Sequence, residues 1–566
     1  MFTLPRILLL VLGIFMIVIV WATLRNAIYK LDPIELQVGP KTTMLTEPLR
    51  EDGTVDYREH FRRQLAAGVD PAENAAVDLV AALGPDVLDE EIRAEMLDAL
   101  GLAEADSGSG FRSLADFAET VDPARLGLQP VSPDSRKKYR ELVDSIQQFR
   151  NYRFLAGDPD GLQERLEEQK KLAGSVPLGV LAKKLDQAVG HPWTQASAPV
   201  LAEWLDLNAR AVDRFLDAAG KGRFYLPLIS QPGDSLLEVR SPSEFPIVQL
   251  GKAALARAMQ KLADGKASQA SGDIQAVFRW ARLLDHDWSP ESFRAASALQ
   301  SAAARASMAL AASAHADEQL LNAHAQALAA LEPLGPTDRL VDTSLRYLTL
   351  SALMLFYSLE DRPGDVTSQV REQVRNAHDL IDWNRVAIQL NAWYDQMVTA
   401  SRGQTGELRR QKRQALADSV GRYMTRLQSQ AAQRNSFIGT IKSIFMDNQT
   451  RRELLTEGQA ATLFVRTVFD PWSMQDRRIS SVARLRLARI ALAAKLYHGN
   501  NDSWPESIDQ LVEAGFIPPQ TVLDPFTLEK MKLLVANGVF QVYSVGPDLA
   551  DNNGDDETDI TFRQHQ

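Results

Sequence analysis

The sequence predicts a mostly α-helical protein in three parts. These are an N-terminal transmembrane helix, a body that forms an α-helical bundle or an irregular α-solenoid, and a small C-terminal α+β module. Three observations lead to this fold class. A long uncharged apolar run stands near the start, apolar residues recur three and four apart through most of the chain, and period-two alternation is scarce before the C-terminal end.

The composition is that of a globular chain and excludes several functions. Among 566 residues there are 62 basic and 73 acidic side chains, a hydrophobic share of 45% and no cysteine. Without cysteine the chain has no disulfide, thiolate zinc site, iron–sulfur cluster or cysteine nucleophile. The formal net charge of −11 argues against broad nucleic-acid binding, which needs basic patches that displace counterions.

The first predicted element is a membrane anchor over residues 1–24. Residues 7–24 are 18 consecutive positions without a charge, and a helix of that length spans about 27 Å, close to the hydrocarbon thickness of a bilayer. A cleaved signal peptide is the alternative, but its apolar core is usually ~7–15 residues long and ends at small residues. We therefore expect a single-pass protein, although the flanking basic residues are too evenly divided to fix its orientation.

The second part is a helical region over residues 57–478, reached through a stalk or linker at residues 25–56. The linker assignment follows from its proline and glycine residues, which break regular structure. Within the helical region a break near residues 231–245 allows two subdomains. Ser289 is predicted to cap the helix that starts at Pro290. Residues 348–359 are apolar but too short to span a membrane, so we expect a buried helix there.

Motifs that carry catalysis are absent from the sequence. It has no GxxxxGK[ST] phosphate loop, GxGxxG, HExxH or GxSxG pattern. His286 stands between two aspartates, but no second ligand lies at a suitable spacing for a metal. Residues 402–452 are locally basic, which is typical of a solvated helix face and alternatively of a contact for anionic lipid or an acidic partner. We name no catalytic residue, and a hydrolase with its site in a groove of the helical region stays as the alternative.

The third part is a small α+β module over residues 479–566. A helix with one apolar stripe is followed by a short helix that ends near Gly515. Two strands follow, at residues 531–535 and Val539–Ser544, joined by Asn537-Gly538, a strong hairpin signal. In the second strand Phe540, Val542 and Ser544 share one face.

An acidic segment after the hairpin is a candidate cation site. Residues 548–559 contain six acidic side chains and no basic one, and such a cluster repels itself unless a cation or full hydration offsets the charge. Calcium takes 6–8 oxygen ligands in flexible geometry. Composition alone also fits a frayed acidic tail. The candidate calcium ligands are Asp548, Asp551, Asp555, Asp556 and Asp559.

Several short segments carry a resemblance to a known family. They are Leu496-Tyr497, Trp504-Pro505-Glu506-Ser507, Asp524-Pro525-Phe526, the segment YSVGPD at residues 543–548, and Asp559-Ile560. In this order they make residues 479–560 similar to the C-terminal domain of the type II secretion major pseudopilin. The resemblance implies a helix, a small antiparallel sheet and a calcium-binding loop after the last strand. It also implies that Asp548 is one ligand and that Asp555 or Asp556 is another.

The likeness to the pseudopilin does not extend to the start of the chain. The opening residues MFTLPR lack the glycine and glutamate of a prepilin leader, and a long helical region separates the apolar run from the module. Upstream, the segment DGTVDY at residues 52–57 and Asn74-Ala75-Ala76 resemble uncharacterised membrane-anchored bacterial proteins that end in this same module. No activity is implied by this second likeness.

Together these observations predict a membrane-anchored envelope protein that acts by binding or scaffolding, with a link to type II secretion-like machinery. We expect it in the bacterial inner membrane with the C-terminal domain in the periplasm, where calcium on the order of millimolar suits a weak structural site. Its expected partners are the membrane and other proteins, not nucleic acid.

Overall fold

The structure is a computed structural model that describes residues 31–102, 110–151, 159–229, 236, 239, 244–358, 378–434, 446–467, 471–536, 539–555 and 558–565. Over these residues the chain is mostly helical, with one small antiparallel sheet, which confirms the predicted fold class at that level. The apolar run at residues 7–24 lies outside this set. Among the described residues no helix combines the length and the apolar character needed to cross a bilayer.

The described helices are numbered in chain order, and a π-helical turn at Val341–Leu345 connects α14 to α15. They are α1 (Tyr57–Ala66), α2 (Ala75–Leu83), α3 (Arg93–Ala99), α4 (Leu114–Thr120), α5 (Pro133–Asn151), α6 (Pro159–Ala173), α7 (Pro177–Ala188), α8 (Pro199–Leu207), α9 (Ala209–Ala218), α10 (Glu244–Ala263), α11 (Ala267–Asp285), α12 (Pro290–Ala312), α13 (Glu318–Ala329), α14 (Thr337–Leu340), α15 (Arg346–Ser358), α16 (Trp383–Ser401), α17 (Gly406–Arg434), α18 (Asn448–Thr467), α19 (Pro471–Asn501) and α20 (Ile508–Glu513).

Two hydrophobic cores organise these helices. The larger core is formed by α2–α4, α7–α13, the C-terminal half of α19 and the C-terminal module. The second core is formed by α1, α14–α18 and the first turns of α19. The long helix α19 belongs to both, because Met474 lies in the second core whereas Ala483 and Leu496 lie in the larger one. This helix is continuous across residue 479, where the sequence places the start of the C-terminal module.

Two predictions on the helical region are confirmed. The Ser289 side chain accepts a hydrogen bond from the Ser292 amide at 3.0 Å, and Pro290 begins α12. Helix α15 is buried in the second core, as expected for an apolar stretch too short to span a membrane. The predicted break near residues 231–245 falls mostly outside the described residues.

Residues 31–56 contain no helix or strand, in keeping with their proline and glycine content. Side chains of the second core hold this segment through its backbone. Arg452 donates to the Asp32 carbonyl at 2.6 Å, and the Asn391 amide donates to the Thr42 carbonyl at 2.8 Å. The segment that the sequence assigns to a stalk or linker therefore lies against the helical body.

The C-terminal sheet has the order β1-β2-β3, with β1 at Lys532–Ala536, β2 at Val539–Ser544 and β3 at Ile560–His565. Both pairs are antiparallel, with Val542 opposite Leu533 and Phe562. The first two strands agree with the prediction to within one residue, whereas β3 was not predicted. Phe540, Val542 and Ser544 face inward and are fully buried, as their alternation predicts. The predicted turn residues 537 and 538 lie outside the described residues.

Candidate calcium loop

The acidic loop, residues 546–559, connects β2 to β3. The resemblance implies a loop after the last strand, but this loop lies before the last strand, β3. It is not a frayed tail, because β3 follows it and pairs with β2. The loop folds onto the outer face of the sheet, where the side chains of Gln541 and Arg563 both donate to the Gly554 carbonyl, at 2.7 and 2.6 Å. Gly554 has a φ of +73°, which favours glycine, and a Cβ there would displace the Gln541 side chain.

Asp548 stabilises the first turn of the loop with its carboxylate. Its Oδ1 accepts from the Ala550 amide at 3.1 Å, and its Oδ2 accepts from the Asn552 side chain at 3.2 Å. The backbone carbonyl of Asp548 also accepts from Arg410 of α17 at 2.9 Å. The predicted ligand Asp548 therefore connects the loop to the helical body.

Asp551 lies over the sheet beside Tyr543. Its Oδ1 accepts from the Tyr543 hydroxyl at 2.9 Å and from the Asn553 amide at 3.1 Å. Burial raises the pKa of Tyr543 to about 12, and the hydrogen bond that its hydroxyl donates to Asp551 and the negative charges of Asp551 and Asp559 act in the same direction. Asp551 and Asp559 thus lie close enough to the same hydroxyl to influence it electrostatically.

Asp559 is the most buried carboxylate among the described residues of the loop, with 5% of its surface exposed. Its Oδ2 accepts from the Gly554 amide at 2.7 Å, which directs the side chain into the loop. Its Oδ1 is buried without a hydrogen-bond partner among the described residues. A carboxylate oxygen that is buried without a hydrogen bond has lost its bound water and gained no other partner. A bound cation would be such a partner.

The remaining predicted ligands are Asp555 and Asp556. The Asp555 carbonyl accepts from the amides of Thr558 and Asp559, at 3.2 and 2.8 Å, and so closes a turn beneath the loop. Asp556 lies outside the described residues. Within the part of the chain that the structure describes, no group of three or more histidine, aspartate or glutamate side chains is arranged to hold a metal. The carboxylates of Asp548, Asp551 and Asp559 instead accept local hydrogen bonds in this conformation.

Asp524, in the Asp-Pro-Phe segment, is a buried residue whose role the sequence did not indicate. Its Oδ1 accepts from the Phe526 amide and its Oδ2 from the Val545 amide, both at 2.9 Å. It therefore connects the turn before β1 to the end of β2, where the acidic loop begins. The pattern Asp-x-Phe with a central proline is the local signal for such a turn, since aspartate side chains often bond an amide two residues ahead.

The C-terminal module docks on the first turn of α17. The Gly406 amide donates to the Phe526 carbonyl at 2.6 Å, and Arg409 donates to the Pro525 carbonyl at 3.4 Å. Arg409 is buried, as is Arg452, and both donate to backbone carbonyls. These members of the basic segment are internal supports, which differs from the solvated face or the lipid contact that the sequence suggested.

Two other features bear on the hydrolase alternative. A surface groove is lined by Gln195, Pro199, Glu203, Asp206 and Leu207, and Glu203 in it pairs with Arg125 at 2.7 Å. This lining contains two carboxylates, Glu203 and Asp206, and no serine, histidine or lysine. His286 is exposed, while its neighbour Asp285 pairs with Arg478 at 2.6 Å and Asp287 accepts from Ser289 and Ser292.

Comparison with known proteins gives no match to this chain, whether with family models, curated proteins or solved structures.

Proposed function

We propose that this protein is a membrane-anchored binding or scaffolding protein of the bacterial envelope, with a structural calcium ion in its C-terminal loop. The observation that carries the calcium proposal is the buried Oδ1 of Asp559, directed into an acidic loop and lacking a hydrogen-bond partner among the described residues. Carboxylates and backbone carbonyls are the ligands that calcium prefers. Asp559, with Asp548, Asp551, Asp555 and carbonyls of the loop, would hold the ion.

The envelope role rests on the apolar run at residues 7–24 and on the likeness of the module to the type II secretion major pseudopilin. In that reading the apolar run holds the chain in the inner membrane, and the helical body and the module lie in the periplasm.

Calcium binding is tested on the full chain in detergent by following the melting temperature with calcium, with magnesium and with a chelator. At a calcium concentration tenfold above Kd, the ion adds about 1.4 kcal/mol of stability. We expect millimolar calcium to raise the melting temperature of the wild-type protein and the variant Asp559→Asn to lose this increase. Asp509→Asn is the matched control, since Asp509 lies in the same module but forms an exposed pair with Lys530.

The calcium proposal fails if the wild-type melting temperature is the same with calcium and with chelator and calorimetry detects no binding. It also fails if Asp559→Asn and Asp509→Asn respond to calcium equally. The anchor is tested separately by alkaline extraction of membranes. We expect the full chain to stay in the membrane pellet and a variant lacking residues 1–24 to move to the supernatant.

A further inference from the structure

We propose that calcium in the acidic loop acts as a latch that holds the C-terminal module on α17 and thereby couples the module to the second core. This inference rests on the proposed calcium site and adds a conformational role to it. It predicts that the loop ion controls the order of a helix that contributes no ligand.

The latch begins at Asp548 and Leu549, which form the contact surface between the loop and α17. The Asp548 carbonyl accepts from Arg410, while its side chain is a proposed calcium ligand. Leu549 has a φ of +63° and packs directly against Gly406, so that a Cβ at position 406 would overlap the leucine side chain. The loop conformation that presents the Asp548 carboxylate therefore also presents Leu549 to the helix.

The latch continues through the first turn of α17. The Gly406 amide is at the start of the helix, where amides have no partner within the helix itself. It donates instead to the Phe526 carbonyl of the module. Further along the same helix Leu416 is buried in the second core, and the Tyr423 ring meets Trp393 edge to face at 5.2 Å. Helix α17 is thus in contact with the module at one end and with the second core at its middle.

The physical cause of the coupling is charge. Six carboxylates lie between residues 548 and 559, and without a cation their mutual repulsion favours an opened loop. Opening would move Leu549 and the Asp548 carbonyl away from Gly406 and Arg410. The first turn of α17 would then lose its cover and its amides would exchange faster with solvent.

The test is hydrogen exchange by mass spectrometry on the full chain in detergent, with calcium and with chelator. With calcium tenfold above Kd, we expect exchange at residues 404–416 to slow by about tenfold, because only the closed state binds the ion. Peptides from α12, buried in the larger core, should not change.

Two glycine variants in α17 separate the latch from the ion site. Gly406→Ala places a methyl group against Leu549 and so disfavours the closed state. We therefore expect this variant to bind calcium more weakly than the wild type and to show less calcium-dependent protection of residues 404–416 at the same calcium concentration. Gly421→Ala is the matched control, because a Cβ there meets nothing within 4 Å, and it should behave as the wild type.

Each outcome bears on the latch. Calcium binding without altered exchange at residues 404–416 overturns the latch and leaves the calcium site intact, whereas the absence of binding overturns both. Equal calcium responses of Gly406→Ala and Gly421→Ala would also overturn the latch, since contact at Gly406 would then be irrelevant.

Discussion

Helix α12 in the larger core and helices α15, α16 and α18 in the second core pack in different ways, although both cores contain large buried aromatic rings. In the larger core α12 packs against its neighbours through small side chains, and several of the polar side chains enclosed there are uncharged. His324, for example, is fully buried between the hydroxyls of Ser271 and Ser307, at 2.7 and 3.0 Å from its ring nitrogens. Small residues let helices approach closely, so this core depends on dense packing. The buried alanines of α12 are Ala295, Ala296, Ala302, Ala303, Ala304, Ala306 and Ala311.

The second core contains large aromatic rings and a buried charge. The rings of Trp393 and Phe464 lie 4.8 Å apart, and both are buried. Arg346 is only 1% exposed, and its guanidinium group pairs with Asp342 at 2.8 Å and with Asp395 at 2.7 Å. Directional bonds of this kind fix the geometry of a core more than they add to its stability.

The two cores also hold different parts of the chain. The second core holds residues 31–56 and so is nearest in sequence to the proposed anchor, while the larger core carries the C-terminal module. Between them Arg478 of α19 pairs with Asp285 of α11 and covers the Phe293 ring at 3.7 Å. If the protein is a scaffold, this junction decides whether its two halves behave as one body.

The largest effect is expected at that junction. Asp285 and Arg478 are 9% and 4% exposed, so Asp285→Asn leaves a buried guanidinium group without its counter-charge. Breaking one partner of a buried pair costs about 3–5 kcal/mol. The free energy of unfolding, measured by chemical denaturation, should fall by that amount. If the junction couples the cores, the two cores of the variant should also unfold further apart in denaturant than those of the wild type.

Asp213→Asn is the control for the junction, because Asp213 pairs with Arg257 at 2.6 Å but is 64% exposed. Exposed pairs contribute about 0–1 kcal/mol. Equal losses for Asp285→Asn and Asp213→Asn would mean that the buried pair has no special role in coupling the cores.

A smaller effect concerns pH and the larger core. Burial lowers the pKa of His324 to about 4, whereas an unfolded histidine titrates near 6.5. Between these values the unfolded state binds more protons, so stability falls as the pH drops from about 6.5 to 4, by at most about 1.4 kcal/mol per pH unit. We expect a loss of about 2 kcal/mol between pH 7 and pH 5.

The variant His324→Gln should remove this pH-dependent part, whereas His191→Gln, at an exposed position, should keep it. The measurement is the difference between wild-type and variant free energies of unfolding at the two pH values. Identical pH profiles for the wild type and His324→Gln would contradict the buried neutral histidine as a source of acid sensitivity.

Local patterns predicted much of the fold. The cap at Ser289, the buried helix α15 and the inward face of β2 each follow from a few neighbouring residues. Strand β3 was missed because its sequence ITFRQH is short and follows an acidic segment. Its pairing partner β2 lies across a loop, and such pairing leaves little trace in the strand itself.

The candidate site was predictable in composition but not in arrangement. Six acidic residues identify the loop, yet only the structure distinguishes the buried Asp559 from Asp548, whose carboxylate is satisfied by near neighbours. The contacts of Arg410 with Asp548 and of Gly406 with Leu549 join residues more than a hundred positions apart. No local pattern encodes such pairs, which arise from the way α17 and the module meet.

The smallest effect tests whether hydrogen bonds matter in the second core. The Thr349 hydroxyl lies 2.6 Å from the Tyr394 hydroxyl and 2.5 Å from that of Thr467, and all three residues are buried. Thr349→Val keeps the shape of the side chain but deprives Tyr394 of a partner, so we expect a loss of about 1 kcal/mol in the free energy of unfolding.

Thr399→Val on α16 provides the comparison for Thr349→Val, since the Thr399 hydroxyl bonds the Asp395 carbonyl at an exposed site. Water can replace that bond, so the free energy of unfolding should change by less than about 0.5 kcal/mol. If both variants lose equally little, the hydroxyl network adds nothing, and the second core would depend on packing just as the larger core does. A clear gap between them would instead mean that the cores are stabilised differently.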